Sequence, residues 1–270
     1  RNRKISIMGI VNLTDDSYFA ESRCIDVQAA LGRIGKLVEE GADIIDIGAC
    51  STRPGALPVG AEEEWGRLEP VLTAAKASFQ NVTLSIDTYW ASVVEKTFAL
   101  IGPFIVNDIT AGEADSQMLP TVGRLGLKYI AMHMRGTPET MQQLTYYDDI
   151  VSEVREYFEN FAHKAENNGI RDWILDPGFG FAKTLEQNYA LMRGLDRFKN
   201  ELTGTNPPSQ LLVGISRKSM IYKLLNISPE ESLSATQALH MVALQKGADI
   251  LRVHDAAEAR RTISLFRMMF

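Results

Sequence analysis

The chain has 270 residues, of which 45% are hydrophobic, and this is enough to bury a large core in a single barrel domain. Its formal net charge of -6 gives no general electrostatic reason to bind nucleic acid or an anionic membrane, so any anion site must be local. Two cysteines, Cys24 and Cys50, are too few for a disulfide framework, and a reducing compartment such as the cytoplasm is the simpler expectation.

The sequence contains no apolar run of about 18 residues, the length that a membrane-spanning helix needs. Its first residues also lack a signal-peptide cleavage pattern, so we expect neither a membrane span nor secretion. Because position 1 is Arg and not Met, we expect a few further residues to precede it.

Short apolar runs recur along the chain and predict strands. They cover residues 5–11, 44–47, 82–86, 104–106, 129–132, 173–175, 211–215 and 250–253. Most are almost continuously apolar, as expected of strands buried on both faces of a parallel sheet. Between them, residues 27–40, 62–75, 150–166 and 235–245 show helical periodicity. Gly41, Gly126, Gly169 and Gly247 stand where helices need a left-handed cap.

This alternation of strands and helices predicts a closed (β/α)8 TIM barrel formed by a single domain over residues 1–270. An open doubly wound sheet is the alternative. It is not supported by a phosphate-binding loop, because the sequence contains neither GxGxxG nor GxxxxGK[ST].

Each apolar run contains or leads into polar residues. In chain order these are Asn12, Asp46 with residues 51–55, Asp87, Asn107 with Asp108, His133, Asp176, residues 216–219, and Arg252 with His254 and Asp255. One polar residue after a strand is usually a loop start or a helix cap. Eight groups on one barrel rim instead favour a polar substrate, since the carboxyl ends of barrel strands form the active site.

The residue types suggest what this substrate contains. The carboxylates of Asp46, Asp87 and Asp176 and the amide of Asn107 suit the amino and lactam edges of a flat heterocycle. Four cationic or imidazole side chains suit phosphate or carboxylate groups, namely Arg53, Lys218, Arg252 and His254. Metal binding is only weakly indicated by the sequence, although a Mg²⁺ that bridges to a substrate diphosphate needs few protein ligands.

The order of these motifs resembles that of the dihydropteroate synthases of the pterin-binding superfamily, over nearly the whole chain. The matching segments are residues 8–14 (MGIVNLT), 46–48 (DIG), 51–55 (STRPG), 85–88 (SIDT), 107–109 (NDI), 132–134 (MHM), 176–181 (DPGFGF), 216–219 (SRKS) and 252–255 (RVHD). The resemblance implies that the enzyme joins a dihydropterin diphosphate to p-aminobenzoate, giving 7,8-dihydropteroate and diphosphate.

The resemblance also implies a role for each site residue. Asp176 would hold the pterin ring as a bidentate acceptor, with Asp87, Asn107, Met132, Lys218 and Arg252 around the ring. Asn12, Arg252 and His254 would hold the diphosphate with support from Asp46, and Mg²⁺ would lie between Asn12 and the phosphate oxygens. Thr52, Arg53, Pro54 and Phe181 would frame the p-aminobenzoate slot, and Ser219 would receive its carboxylate at a helix start.

By the same resemblance, diphosphate leaves early and the arylamine captures a pterin methylene cation. Asp16, in a loop over residues 14–19 that closes on the site, would join Asp87, Lys218, Arg252 and His254 as the catalytic set. The family forms homodimers, and sulfonamides, as mimics of p-aminobenzoate, would compete at its slot.

Three positions depart from the family pattern, which usually has Pro at Asp15, Glu at Cys50 and Gly at Ala182. Asp15 adds a charge in the first loop, and we interpret Cys50 as a small buried residue without a redox role. Among the histidines, we expect His133 to support the site while Met132 touches the ring. We expect His163 and His240 to be packing or surface residues of helices.

Two other functions stay open at this point. A methyltetrahydrofolate corrinoid methyltransferase shares the barrel and the ring-binding carboxylates. It releases no diphosphate, however, and so would not need the anion-binding residues Arg53, Lys218, Arg252 and His254. A pterin-binding barrel without catalytic activity is favoured only by the departures in the first loop and at Cys50.

Overall fold

The computed structural model describes residues 3–13, 26–50, 59–137, 140–202 and 204–270. Its strands form a closed, fully parallel barrel in the order β1 to β8, each paired with its neighbours in sequence and β8 with β1. The strands are β1 (Ser6–Asn12), β2 (Ile44–Gly48), β3 (Thr83–Asp87), β4 (Ile105–Asp108), β5 (Lys128–Met132), β6 (Trp173–Asp176), β7 (Gln210–Val213) and β8 (Ile250–Val253). The predicted (β/α)8 barrel is confirmed, and the open sheet is wrong.

Helices follow the strands and surround the barrel. In the described ranges they are α1 (Val27–Glu39), α2 (Ala61–Ser78), α3 (Ala91–Ile101), α4 (Met118–Leu125), α5 (Ile150–Asn167), α6 (Leu185–Arg193), α7 (Arg197–Asn200), α8 (Ser219–Leu225), α9 (Leu233–Gln245) and α10 (Ala256–Met269). All four predicted helices are present, with shifts only at their ends. None of the helices in the described ranges is long and apolar enough to cross a membrane.

Helix ends carry the predicted left-handed glycines. The backbone φ angles of Gly41, Gly126, Gly169 and Gly247 are 95°, 64°, 76° and 104°. A side chain is disfavoured in this region, and glycine therefore ends each helix and turns the chain toward the next strand.

The barrel interior is closed by an apolar layer, referred to here as the barrel floor. It comprises Met8, Ile44, Ile105, Ile130, Ile174, Leu212 and Ile250, all buried. Side chains alternate between the two faces of a strand, so the residue two positions further along also faces the interior. Those residues are Ile10, Asp46, Asn107, Met132, Asp176, Gly214 and Arg252. A polar layer therefore lies directly above the barrel floor, toward the carboxyl ends of the strands.

A close helix contact suggests a first test of the fold. A Cβ atom on Gly123 in α4 would lie 1.7 Å from the carbonyl oxygen of Asn168, whereas a Cβ on Gly66 in α2 meets nothing within 4 Å. We predict that Gly123→Ala lowers the free energy of unfolding by about 3 kcal/mol or more, because backbone must move. Gly66→Ala is the control, and it should raise stability by roughly 0.5 to 1 kcal/mol through helix propensity. Denaturant unfolding of both variants measures the difference, and equal effects would contradict this packing.

Candidate active site

The polar layer is organised around Asp46, whose side chain has no exposed surface. One of its oxygens, Oδ1, accepts a hydrogen bond from Ser85 Oγ at 2.7 Å. The other, Oδ2, accepts from Asn107 Nδ2 at 3.0 Å and from Arg252 Nε at 2.7 Å. Because a buried carboxylate is costly unless it is paired, these contacts make Asp46 an anchor for Arg252 across the barrel. Because both oxygens of Asp46 are used in this way, its geometry suits support of Arg252 better than direct contact with a diphosphate.

Asp87, the last residue of β3, lies on the other side of the same guanidinium. Its Oδ2 is 3.4 Å from Arg252 Nη2, and 13% of its side chain is exposed. Burial and the neighbouring Asp46 raise the pKa of Asp87, and Arg252 opposes this shift. Arg252 is thus held between two carboxylates, at the edge of the space that a ring would fill.

Asp176 and Lys218 form a second charged pair on the rim. Asp176 ends β6 beside Met132, and its Oδ1 accepts the backbone N–H of Gly178 at 2.9 Å. Burial raises the pKa of Asp176, whereas the Lys218 charge lowers it. Burial lowers the pKa of Lys218 to about 8. The structure therefore brings together all six residues predicted around the pterin, which are Asp87, Asn107, Met132, Asp176, Lys218 and Arg252.

Lys218 also contacts the loop that follows β6, residues 177–184, referred to below as the β6–α6 loop. Its Nζ donates to the carbonyl oxygen of Phe179 at 2.6 Å and lies 4.7 Å from the centre of the Phe181 ring. An ammonium over an aromatic face is attracted by the ring quadrupole. Phe181 therefore lies at the edge of the site, next to the start of α8 at Ser219, where the p-aminobenzoate slot is predicted.

His254, which follows β8, lies on the part of the rim where the sequence predicts diphosphate binding. Its Nδ1 lies 2.9 Å from Ser216 Oγ, and the same oxygen accepts the His254 backbone N–H at 3.2 Å. Burial lowers the pKa of His254 well below its usual value, and the nearby Arg252 adds to this effect. A neutral imidazole offers one N–H donor to an anion. Asn12 ends β1 on the same rim, in register with Gly48 of β2.

Arg217, next to Lys218 in the sequence, forms structural contacts away from the polar layer. It forms a bidentate pair with Asp255, with distances of 2.8 and 2.9 Å, and donates to two backbone carbonyls at Pro229 and Glu230. Its acceptors thus tie the β7–α8 turn to the start of α10. The next residue of the SRKS motif, Lys218, contacts the β6–α6 loop at the rim, as described above.

Several predicted residues lie outside the described ranges. These are Asp15, Asp16, Thr52, Arg53 and Pro54. Their roles stay predictions. Within the described ranges, no group of three or more His, Cys, Asp or Glu side chains is placed to hold a metal ion.

The structure also identifies supporting residues to which the sequence assigned no role. Ser85 and Ser216 orient Asp46 and His254, respectively. Ser85 has a signal in the sequence, since it is two residues before Asp87 and must share its face of β3. Lys183 has a weaker signal. It lies two residues beyond the DPGFGF motif, and only the folded loop shows that it is buried beside His133.

The structure also places the two remaining histidines and two of the positions that depart from the family pattern. His163 is exposed and His240 fully buried, both within helices, as expected. Cys50 is half-buried, its Sγ 3.7 Å from Tyr89 Oη, and burial raises the pKa of its thiol, which disfavours a reactive thiolate. Ala182 has a φ of 53°, the left-handed region in which glycine is preferred.

The pterin binding enzyme family matches this chain over residues 8–254, which span β1 through the rim residues after β8. The chain belongs to the pterin binding enzyme family. A dihydropteroate synthase of Escherichia coli (strain K12) is 41% identical over 254 residues, covering 93% of this chain and 87% of the relative.

Two solved structures share the fold. The Yersinia pestis dihydropteroate synthase in a sulfonamide drug complex aligns with a TM-score of 0.89 and 36% identity, covering 98% of this chain and 93% of the other. The Burkholderia cenocepacia dihydropteroate synthase complexed with 7,8-dihydropteroate aligns with a TM-score of 0.85 and 34% identity, covering 99% and 91%.

Behind β2 and β3, the carboxyl group of Glu64 in α2 is fully buried near the side chains of Thr88 and Arg67. Burial raises its pKa from 4.5 to about 7, while the Thr88 side chain and the charge of Arg67 oppose the shift. Since the folded pKa exceeds the unfolded one, the folded state favours the protonated form. The contribution of Glu64 to the free energy of unfolding is therefore fully present below about pH 4.5 and is lost as the pH rises toward 7.

We predict that Glu64→Gln removes the loss of stability that the ionisation of Glu64 causes above pH 4.5. At pH 8 the variant should be more stable than the parent by on the order of 2 kcal/mol, and at pH 4.5 the two should be similar. Glu69→Gln, an exposed position of the same helix, is the control and should change neither value. Urea unfolding at both pH values measures the effect. A constant difference across pH would show that Glu64 does not titrate in this window.

Proposed function

We propose that this chain is a dihydropteroate synthase, which condenses 6-hydroxymethyl-7,8-dihydropterin diphosphate with p-aminobenzoate to give 7,8-dihydropteroate and diphosphate. The observation that carries the proposal is the set of charged side chains above the barrel floor, Asp176 beside Lys218 and Asp87 beside Arg252. They offer acceptors for a polar ring and cations for an anion in one cavity. The related synthases from Escherichia coli, Yersinia pestis and Burkholderia cenocepacia support it.

In this proposal the dihydropterin ring lies on the polar layer, above the floor residues Ile174 and Ile250. Asp176 accepts from the ring amino group and an adjacent ring N–H. Asp87, Asn107 and Lys218 meet the other ring edges. Asn107 is oriented for this because its Nδ2 is used by Asp46 and its carbonyl oxygen must point elsewhere. Met132 and Arg252 enclose the faces of the ring.

The diphosphate is held by Arg252, His254 and Asn12. Asp46 keeps the guanidinium in place, so Arg252 needs little reorganisation when the phosphate arrives. Among the described residues no group of three or more His, Cys, Asp or Glu side chains could hold a metal ion, so a magnesium ion here would need substrate oxygens as well as protein ligands. Asn12 would bind it together with phosphate oxygens, and bound Mg²⁺ would supply charge neutralisation for the leaving group.

The reaction proceeds by early loss of diphosphate. The bond from the pterin methylene carbon to oxygen breaks, and its electron pair leaves with the diphosphate, which Arg252 and His254 stabilise. The carboxylates of Asp87 and Asp176 stabilise the resulting cation. The arylamine nitrogen then forms the new bond to carbon and releases a proton to solvent. Asp16, by this proposal, belongs to a first loop that closes over the site and excludes water.

The arylamine occupies the outer part of the site. Phe181 packs on its ring, and the backbone N–H groups at the start of α8, with Ser219, receive its carboxylate. Thr52, Arg53 and Pro54 complete the slot. Sulfonamides bind in the same place as arylamine mimics, which agrees with the sulfonamide complex of the Yersinia pestis relative.

We also propose that the enzyme is a cytoplasmic homodimer. The last turns of α10 expose Leu265, Met268, Met269 and Phe270, while Ile263 on the opposite face is buried against the barrel. An apolar strip of this kind supports a subunit contact. Sedimentation velocity measures the number of subunits directly.

The decisive experiment incubates the protein with dihydropterin diphosphate, p-aminobenzoate and Mg²⁺, and follows diphosphate release and dihydropteroate. We predict formation of both products in equal amounts, with loss of activity on addition of EDTA and recovery on addition of Mg²⁺. Absence of both products while pterin still binds would overturn the synthase proposal and favour a binding protein. Methyl transfer from methyltetrahydrofolate to a corrinoid, without diphosphate release, would favour the methyltransferase.

The role of Asp176 has a separate test. We predict that Asp176→Asn weakens pterin binding by about 1 to 3 kcal/mol, because an amide cannot accept at both positions. Titration calorimetry with the dihydropterin measures this change. Asp172→Asn, at the exposed opposite end of β6, is the matched control and should bind normally. Unchanged affinity of Asp176→Asn would refute the bidentate contact.

A further inference from the structure

The β6–α6 loop, residues 177–184, contains a buried lysine that lies outside the proposed catalytic set. Lys183 is only 4% exposed. Its Nζ lies 2.9 Å from the carbonyl oxygen of Gly178, 2.8 Å from that of Phe181 and 3.0 Å from Nδ1 of His133. One side chain therefore connects two backbone positions of the loop to His133, the residue that follows β5.

These contacts satisfy the nitrogen in either protonation state. An ammonium group donates to both carbonyls and to an unprotonated Nδ1. A neutral amine donates to the carbonyls and accepts from Nδ1–H. His133 is itself held, since its ring packs edge-on against Tyr157 with centroids 4.9 Å apart. Lys183 is thus an anchor with three fixed partners and no role as a surface charge.

The same loop also contacts Lys218 of the proposed substrate site. The carbonyl oxygen of Phe179 accepts from Lys218, and the Phe181 ring lies 4.7 Å from the same Nζ. The Phe181 carbonyl bonded to Lys183 belongs to the residue whose ring faces Lys218. A shift of the loop backbone therefore moves the aromatic ring and the acceptor of Lys218 together.

The loop also contains unfavourable backbone conformations that neighbouring contacts must stabilise. Ala182 adopts a left-handed φ of 53°, and its carbonyl oxygen accepts from Tyr147 Oη at 3.0 Å. Gly178 has a φ of 71° and packs so closely on the His133 carbonyl that an added Cβ would lie 2.0 Å away. Such backbone conformations persist only when neighbouring contacts fix them. Lys183 supplies contacts on both sides of Ala182.

We propose that Lys183 is a positioning residue for the arylamine slot, which it shapes by fixing Phe181 and the acceptor of Lys218. The proposal rests on the dihydropteroate synthase activity proposed above. In this role Lys183 does not touch substrate itself and acts through Phe181 and Lys218. Its removal should affect the arylamine more than the pterin, because Lys183 bonds the backbone of Phe181 directly, whereas Lys218 keeps its neighbour Asp176.

The test compares Lys183→Met, which keeps the length of the side chain and removes its donors, with the parent enzyme. We expect the KM for p-aminobenzoate to rise by about tenfold or more, and the affinity for the dihydropterin to change by less than about threefold. Sulfonamide inhibition should weaken in parallel with the KM for p-aminobenzoate. An unchanged KM in an active, folded variant would overturn the proposal.

The matched control is Lys199→Met. Lys199 Nζ contacts both carboxyl oxygens of Asp249 at 2.7 Å, at the opposite end of the barrel. This variant should lower the Tm without moving either substrate constant. If it raised the KM for p-aminobenzoate equally, the Lys183 effect would be a general loss of stability and the proposal would fail.

A milder variant protects the test against misfolding. His133→Phe keeps a ring against Tyr157 and removes the Nδ1 partner of Lys183. It should raise the KM for p-aminobenzoate by several fold with little effect on the pterin, and no change would count against the proposal. If the parent enzyme itself forms no dihydropteroate, the proposed function fails first, so the two failures are distinguishable.

Discussion

The site depends on one buried ion pair, Asp46 with Arg252. Neither charge could remain in the barrel alone, because a desolvated ion without a partner costs several kcal/mol. Ser85 and Asn107 use the remaining capacity of Asp46, and Asp87 lies beside the free edge of the guanidinium. The pair therefore links β8 to β2, and the other partners of Asp46 extend the network to β3 and β4. It also holds a cation where the proposed leaving group is expected, so binding and stability depend on the same contacts.

The sequence predicted the barrel well because its signal is local. Continuous apolar runs and glycines after helices depend on short stretches of chain, and both were confirmed for the described strands and helices. The rim was also predictable, since interior positions recur every second residue. Each floor residue is followed two positions later by another that faces the interior, for example Ile174 by Asp176 and Ile250 by Arg252.

What the sequence did not predict depends on contacts between distant segments. Nothing in the local pattern distinguishes Lys183 from a surface lysine, because its burial results from His133, 50 positions earlier. Arg217 and Lys218 are adjacent and chemically similar, yet one pairs with Asp255 and the other reaches the β6–α6 loop. The identity of the substrates came from resemblance to a family, since carboxylates and cations on a rim indicate only a polar ring and an anion.

The barrel floor has a consequence for the order of events. Seven apolar side chains close the interior on one side, so molecules enter and leave only at the opposite mouth. In the proposed arrangement the pterin lies directly on the polar layer, and the arylamine lies outside it beside Phe181. The inner ligand must then arrive before the outer one, and the product must leave with its pterin end last. A closed floor thereby imposes a sequence on binding and release.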